Sequence, residues 1–365
     1  MSAGSRTAAC RASRARLQHP RCAPQRQRGI ALLVAILLVA LGTILAAAVA
    51  YENAMTARRG AGTFAFDESL LIAQGAEALA AYGLRQIRAN DPTHIYPGQG
   101  WDKPLGPIEV VPGVMLEASL EDLQGRFNLN NLVKTDGTPD LTQVNAFVQL
   151  LALVGLEPKW AGYLIDWIDI DIVPQNPDGA EDSVYMGQTP PYRAANRYIT
   201  STTELLALPG FGRDRYVKLA PYVTALPHGT TLNICSAPGP VLDAFLGAGR
   251  SEFGANPGQL AQTRSNTSGC FPTLANYQAA FDPKAWTAGA AKVFSENSSY
   301  FRLSSFITIG STEFNLYSLL YMDSGAPAPG STTAGRTTPG STTAGVGGSG
   351  GSGGVRPILR SFTPD

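Results

Sequence analysis

The sequence predicts an α+β protein: a long N-terminal helix, its first half transmembrane, packed on an antiparallel sheet that carries a large inserted, mostly α-helical domain. Three observations point there. Residues 30–50 (IALLVAILLVALGTILAAAVA) hold no charged side chain. Alternating β-prone runs at 108–111 and 114–120, and again at 300–309 and 313–321, flank a central stretch of helical periodicity. Glycine (39) and proline (26) are abundant while charged residues are only 15%, which calls for long loops around a core that the 44% hydrophobic content can supply.

The uncharged run, at about 1.5 Å per residue, spans a hydrocarbon core of about 30 Å. It is too long for the apolar segment of an ordinary signal peptide, and no A-x-A-like site follows it. Residues 1–29 carry seven arginines and no acid, so the positive-inside rule places the N-terminus in the cytoplasm and the body on the other side. A plain uncleaved signal anchor is one alternative reading of these features. No proline occurs between Pro24 and Pro92, so the helix is expected to continue over 51–90, with Phe64, Phe66, Leu70, Leu71, Ala78, Leu79 and Tyr82 at helix-like intervals. Gly42, Gly60, Gly62, Gly75 and Gly83 weaken it, each by about 1 kcal/mol against alanine.

The junction Arg28-Gly29-Ile30 puts a glycine between the basic leader and the apolar helix. It resembles the prepilin peptidase site of type IV pilins and type II secretion pseudopilins. The resemblance implies cleavage between Gly29 and Ile30, with N-methylation of the new terminus, and a pilin-like plan for the helix and its sheet. The fifth residue after that site is Val34, where most members of the superfamily carry glutamate. In the family that acid compensates the terminal amine of a neighbouring subunit inside the membrane, where an unpaired charge is expensive. A subunit without it cannot pair with a neighbour above, which suits a filament tip.

Beyond residue 90 the chain divides into a sheet domain over 91–130 and 296–365 and an insert over 131–295. Residues 126–129 read as a further strand. Within the sheet domain, 324–354 collapses to Gly, Ser, Thr, Ala and Pro, as in a flexible loop. Residues 355–362 then regain strand character and are expected to re-enter the sheet. In the insert, Val144, Phe147, Val148, Leu151, Leu153 and Val154 mark a helix ending at Gly155, and Trp160, Leu164, Ile165 and Ile168 mark a second. Thr202-Thr203-Glu204 caps a third, which breaks at LPGFG (208–212) and restarts through Tyr216 and Leu219, so that 139–226 resembles a helix-hairpin-helix. FNLN at 127–130 finds an echo in TLNI at 231–234, each preceding a helix, which suggests a second helical subdomain reaching about residue 295.

Four segments, EDLQGRFNLNNL (121–132), LIDWIDIDIVPQNPDGAEDSVY (164–185), PPYRAANRYITSTTELLALPGF (190–211) and SSYFRLSSFITIG (298–310), resemble in order those of the K-type minor pseudopilins, the general secretion pathway protein K family. The resemblance implies an inner-membrane-anchored subunit with a periplasmic body at the tip of the type II secretion pseudopilus. There it would initiate or cap assembly and help export folded proteins. Its implied partners are other minor pseudopilins, met through the N-terminal helix, together with prepilin peptidase, the inner-membrane secretion platform, and secreted substrates or the outer-membrane channel. Two alternatives remain: a minor pilin of a type IV pilus, and a membrane-anchored DNA-uptake receptor using the hairpin. The hairpin has only Arg213, Arg215 and Lys218 nearby, and outside residues 1–29 the chain holds 21 basic against 28 acidic residues. Nucleic-acid affinity rests on clustered cations, so no nucleic-acid partner is expected.

Between 166 and 182 lie six carboxylates (Asp166, Asp169, Asp171, Asp178, Glu181, Asp182) and no cation. Such a run is either a solvated acidic loop or an oxygen-rich cation site; the spacing is not that of an EF-hand. The family resemblance implies structural Ca²⁺, and its D-W-I-D-x-D and G-A-E-D blocks single out Asp169, Asp171, Glu181 and Asp182. Asp178 is a reserve, and Asp166 is assigned a capping or salt-bridging role. No nucleophile motif accompanies His94 or His228, so no enzymatic activity and no catalytic residue is expected. Cys10 and Cys22 fall in the leader, while Cys235 and Cys270 fall in the body, where a periplasmic location favours a disulfide over two buried thiols.

Overall fold

The computed structural model describes residues 28–282, 286, 291–323 and 354–363. The leader through residue 27, with Cys10 and Cys22, and the Gly/Ser/Thr-rich loop through residue 353 lie outside the described residues. The chain divides into two compact units, one reaching Phe64 and one starting at Ala65. Helix α1 (Arg28–Asn90) is continuous for 63 residues. All residues from 30 to 50 are exposed, and the helix is long and apolar enough to cross a membrane.

In the second unit, β1 (Leu105–Val111) and β2 (Val114–Asp122) form a hairpin. Its turn, Pro112-Gly113, relies on a positive φ of 83° that glycine adopts without a Cβ clash. β2 alternates buried and exposed residues along most of its length, as period 2 requires. Its buried residues Val114, Leu116 and Ala118 pack with Ala73, Ala76, Ala81 and Leu84 of α1 and with later strands. The small α1 side chains let the helix lie close on the sheet.

The insert starts where β2 ends. β3 (Phe127–Asn128) pairs in parallel with β4 (Val223–Thr224), and β5 (Leu232–Asn233) pairs in parallel with β6 (Phe294–Ser295). Between β3 and β4 lie α2 (Leu141–Leu153), α3 (Lys159–Ile168), α4 (Asp182–Tyr185) and α5 (Gly212–Leu219). Between β5 and β6 lie α6 (Gly239–Leu246), α7 (Pro257–Asn266) and α8 (Leu274–Ala280). The expected strand at 126–129 is therefore corrected. Two of its residues form β3, and they pair inside the insert because the partner, Val223–Thr224, is nearly a hundred residues away in sequence. Asn128 and Asn130 fix that crossing: Asn130 Nδ2 donates to the Ile199 and Leu226 carbonyls at 2.9 and 2.8 Å, and Asn128 Oδ1 accepts from Leu226 N–H at 3.0 Å. The core is aromatic, with Phe127 stacked on Phe147 and Trp160 edge-on to Phe211.

After the insert, β7 (Tyr300–Ile309), β8 (Thr312–Met322) and β9 (Val355–Ser361) complete a five-stranded antiparallel sheet of order β1-β2-β7-β8-β9. β7 pairs with β2 from Val114↔Ile309 to Asp122↔Phe301, so the insert leaves and returns between adjacent strands. The edge strand β9 is tied to α1 by an ion pair between exposed Arg360 and the buried Glu77 carboxylate. Arg360 Nε and Nη2 reach Glu77 Oε1 and Oε2 at 2.8 and 2.6 Å, and Ser318 Oγ donates to the same carboxylate at 2.6 Å.

Cys235 and Cys270 form a disulfide, with Cα atoms 4.9 Å apart and a sequence separation of 35. It joins the residues after β5 to the segment between α7 and α8. Beside it, Arg264 donates to the carbonyls of Phe271, Ile234 and Ala237, and burial lowers its pKa to about 10.

Where the insert meets the sheet, the buried Asp122 carboxylate accepts from Gln124 N–H, Asn233 Nδ2 and the Ser236 and Ser298 hydroxyls. Replacing Asp122 with alanine strands these donors, and a buried unsatisfied group costs about 1–3 kcal/mol. Asp122→Ala is therefore expected to lower the unfolding midpoint of the detergent-solubilised chain markedly, whereas Asp136→Ala, at an exposed turn, should leave it within error. Loss of the disulfide by Cys235→Ser with Cys270→Ser should cost about 3–4 kcal/mol from the loop it closes, read as a lower urea midpoint.

Candidate metal centre

Helix α3 ends at Ile168 because Asp169 turns extended, at φ −68° and ψ 169°, while its N–H still bonds back to Ile165. Asp166 and Asp169, three residues apart, therefore stand together at the helix end. The next dozen residues form a loop that folds back on Asp166: its carboxylate accepts Gln175 N–H at 3.1 Å and Ala180 N–H at 2.6 Å. The return passes so near the helix that two positions tolerate only glycine. A Cβ on Gly162 would strike the Asp178 carbonyl, and one on Gly179 would lie 2.5 Å from Asp166 Oδ2 as well as against Gln175. That approach delivers Glu181, the residue before α4, to the two aspartates.

Carboxylate oxygens of Asp166, Asp169 and Glu181 lie within 4.8 Å of one another. The three residues are 0, 1 and 3% exposed. Among the described residues no donor meets either oxygen of Asp169 or either oxygen of Glu181 in hydrogen-bonding geometry, and the Tyr185 hydroxyl and Asn196 Oδ1 are likewise buried and unmatched. Burial, followed by the charges of Asp171, Asp166 and Glu181, pushes the Asp169 pKa up to about 7. Burial and the charges of Asp166, Asp171 and Asp182 push Glu181 up to about 7. Asp166 is raised by burial against the pull of its two backbone donors.

Of the four residues that the sequence proposes as ligands, the fold brings Asp169 and Glu181 together and sets Asp171 and Asp182 aside. Asp171 is exposed and its Oδ1 accepts Val173 N–H at 2.8 Å. Asp182 Oδ1 accepts Ala194 N–H at 3.1 Å, with Arg193 Nε 3.8 Å from its other oxygen. The reserve Asp178 is exposed, and its carbonyl is the atom packed on Gly162. Asp166, expected to cap or salt-bridge, does secure the loop through backbone donors, and it is also the third member of the cluster. No sequence signal distinguishes it from its neighbours, since its role depends on where residues 175–180 return.

The helix-hairpin-helix-like turn is built for packing. Arg215 Nη1 donates to the Gly210 and Phe211 carbonyls, and its guanidinium lies 5.4 Å from the Trp160 ring centre, which engages one of the three cations near the turn. The two body histidines are structural: His94 bridges Asp91 and Glu296 at 3.1 and 3.5 Å, and His228 stacks on Tyr198.

The carboxylate cluster and the strands that frame it fall within residues 125–228, which match the family model described as type II secretion system (T2SS), protein K. A Pseudomonas aeruginosa type II secretion system protein K is 36% identical over 243 residues, covering 64% of this chain and 70% of that protein. The chain belongs to the type II secretion system protein K family. The corresponding Aeromonas hydrophila protein is also 36% identical, over 58% of this chain and 67% of the relative. A chain of the GspK-GspI-GspJ complex of the enterotoxigenic Escherichia coli type 2 secretion system has the same fold, with a TM-score of 0.63, 22% identity, and coverage of 84% of this chain and all of that one. As a K-family minor pseudopilin, this chain thus has the α1-on-sheet plan, with its acidic cluster inside the family's own matched segment.

The raised carboxyl pKa values fix a sign. Asp169 and Glu181 bind protons more tightly folded, near 7, than unfolded, near 4, so the metal-free fold loses stability as pH rises through that interval. In chelator, the melting temperature of the second unit should therefore rise as pH falls from about 8 to about 5.5. Asp169→Asn with Glu181→Gln should flatten this dependence in a thermal scan.

Proposed function

We propose that this chain is a tip subunit of the type II secretion pseudopilus, anchored once in the inner membrane by α1 with its body in the periplasm. There it would join other minor pseudopilins to initiate or cap the filament and so support export of folded proteins. The observation that carries this reading is the fold match, over 84% of the chain, to a protein solved in complex with two other components of such a system. The basic leader before an apolar helix supports the orientation, and Gly29-Ile30 supports prepilin peptidase cleavage followed by N-methylation. Val34 supports the tip position, since it leaves no acid to pair with a subunit stacked above.

Co-expressed with its cognate I- and J-type pseudopilins, the chain should co-purify with both, and its deletion should abolish filament initiation and secretion. Gly29→Ala should leave the leader attached by mass spectrometry. Fluorescent labelling should mark one filament end; label spread along the shaft would overturn the tip placement.

The same reading gives the acidic cluster a structural Ca²⁺. The donor set supports it: carboxylate oxygens only, buried, those of Asp169 and Glu181 unmatched, with no cysteine or histidine, suit a hard cation that accepts six to eight oxygens in flexible geometry. Asp169 and Glu181 would supply ligands, with Asp166 contributing while it holds the loop. Bound Ca²⁺ would offset the repulsion and join the end of α3 to the start of α4. Calcium should raise the melting temperature of the detergent-solubilised chain and chelator should lower it, with Mg²⁺ a poor substitute. Glu181→Ala should remove most of the difference, and calorimetry without calcium uptake would end this reading.

A further inference from the structure

We propose that Asn196 supplies a neutral oxygen ligand, its side-chain carbonyl, to the cation that Asp169 and Glu181 would hold. This rests on the calcium reading of that cluster and adds a third chain segment to it. Most of the buried side-chain polar atoms without a partner among the described residues belong to Asp169, Glu181, Tyr185 and Asn196. Asn196 Oδ1 is the one amide carbonyl oxygen in that set. A buried polar group left unmatched is costly, so each such atom calls for a partner.

One contact orients the amide. Asn196 Nδ2 donates to the Asp171 carbonyl at 3.3 Å. A carbonyl accepts only from the N–H side of an amide, so Oδ1 is turned away from Asp171. Asn196 and Asp169 line the same cavity of about 220 Å³, roomy enough for an ion and waters that complete its shell. Lys134 and Arg197 also line it, but both are exposed and neither donates to Asp169. The backbone of Asn196 sits at φ 46°, the one non-glycine positive φ among the described residues. Asparagine enters that left-handed region more readily than most side chains, and glycine more readily still. A loop that needed only the turn would be served by glycine; one that uses the amide oxygen would not.

Charge explains why the added ligand is neutral. Ionised Asp169 and Glu181 together match a divalent cation, and the Asp166 oxygens already accept Gln175 and Ala180 N–H. A further carboxylate would add repulsion, whereas an amide carbonyl adds an oxygen without charge, and Ca²⁺ takes such oxygens beside carboxylates. Asn196 also stands three residues before Ile199. The Ile199 N–H donates to Asn130 Oδ1 at 2.8 Å, and its carbonyl accepts from Asn130 Nδ2 at 2.9 Å. Ligation by Asn196 would therefore fasten the end of α3, the start of α4 and the segment leading to the β3–β4 crossing at one point.

The test uses the full detergent-solubilised chain with Ca²⁺ as the probe. Asn196→Gly keeps the turn and deletes the oxygen. Its calcium-free melting temperature should stay close to that of the unmodified chain, while calorimetry should show calcium affinity weakened about tenfold or more. Asn196→Asp keeps an oxygen at that position and should bind calcium at least as tightly as the unmodified chain. In the unmodified chain, calcium should slow amide hydrogen exchange over residues 194–198 as well as over 166–182. Equal calcium affinity in the unmodified chain and in Asn196→Gly overturns this inference and leaves the cation reading standing, as does protection confined to 166–182. A loss of binding in Asn196→Asp as large as in Asn196→Gly also overturns it, since the N–H tie to Asp171 would then be what matters. Absence of calcium uptake by the unmodified chain overturns both readings together.

Discussion

One buried carboxylate decides whether a sheet can tolerate having an entire helical domain threaded between two of its neighbouring strands. Asp122 is the last residue of β2, opposite Phe301 of β7. Its oxygens collect donors from the turn after β2, from the end of β5 and the residues after it, and from the approach to β7. Asn233, in turn, donates to the Ile95 carbonyl just beyond α1. One carboxylate therefore joins the end of β2, the end of β5 and the approach to β7, with Asn233 extending the set to the segment after α1. Burial raises its pKa while the hydrogen bonds oppose that rise, so the site is stable only as a complete set.

Set beside that residue, the cluster at the end of α3 is unusual within its own protein. Asp122 has four donors, and Asp243, fully buried on α6, accepts the N–H groups of Glu252, Phe253 and Gly254. Asp166 has two. Asp169 and Glu181 are also buried and have none among the described residues. The chain evidently satisfies a buried acid when the purpose is to shape a loop. Leaving four oxygens unmatched in one spot is a different kind of arrangement, with an energetic penalty that the proposed cation would relieve.

Much of this was legible in the sequence. The uncharged run and the missing prolines give α1, period-3.6 patterns give α2 and α3, and period-2 patterns give β2, β7 and β8, because each of these signals is local. The return of 355–362 to the sheet was readable for the same reason. What escaped is non-local. Phe127–Asn128 looks like a continuation of β2 until its parallel partner at Val223–Thr224 is known. Asp171 and Asp182 stand in the same family-like blocks as Asp169 and Glu181, and only the path of the intervening loop, set by Gly162 and Gly179, separates them. Asp166 was assigned half its role for the same reason.

The ion pair between Glu77 and Arg360 carries a consequence for how the sequence can drift. Because β9 is positioned by pairing with β8 and by a carboxylate on α1, its register owes nothing to the length of the connection that precedes it. Closing a longer connection is inexpensive, about 0.6 kcal/mol per doubling of its length. Insertions and deletions between residues 324 and 353 should therefore accumulate freely among relatives, whereas a change at either end of the Glu77–Arg360 pair would release the edge of the sheet.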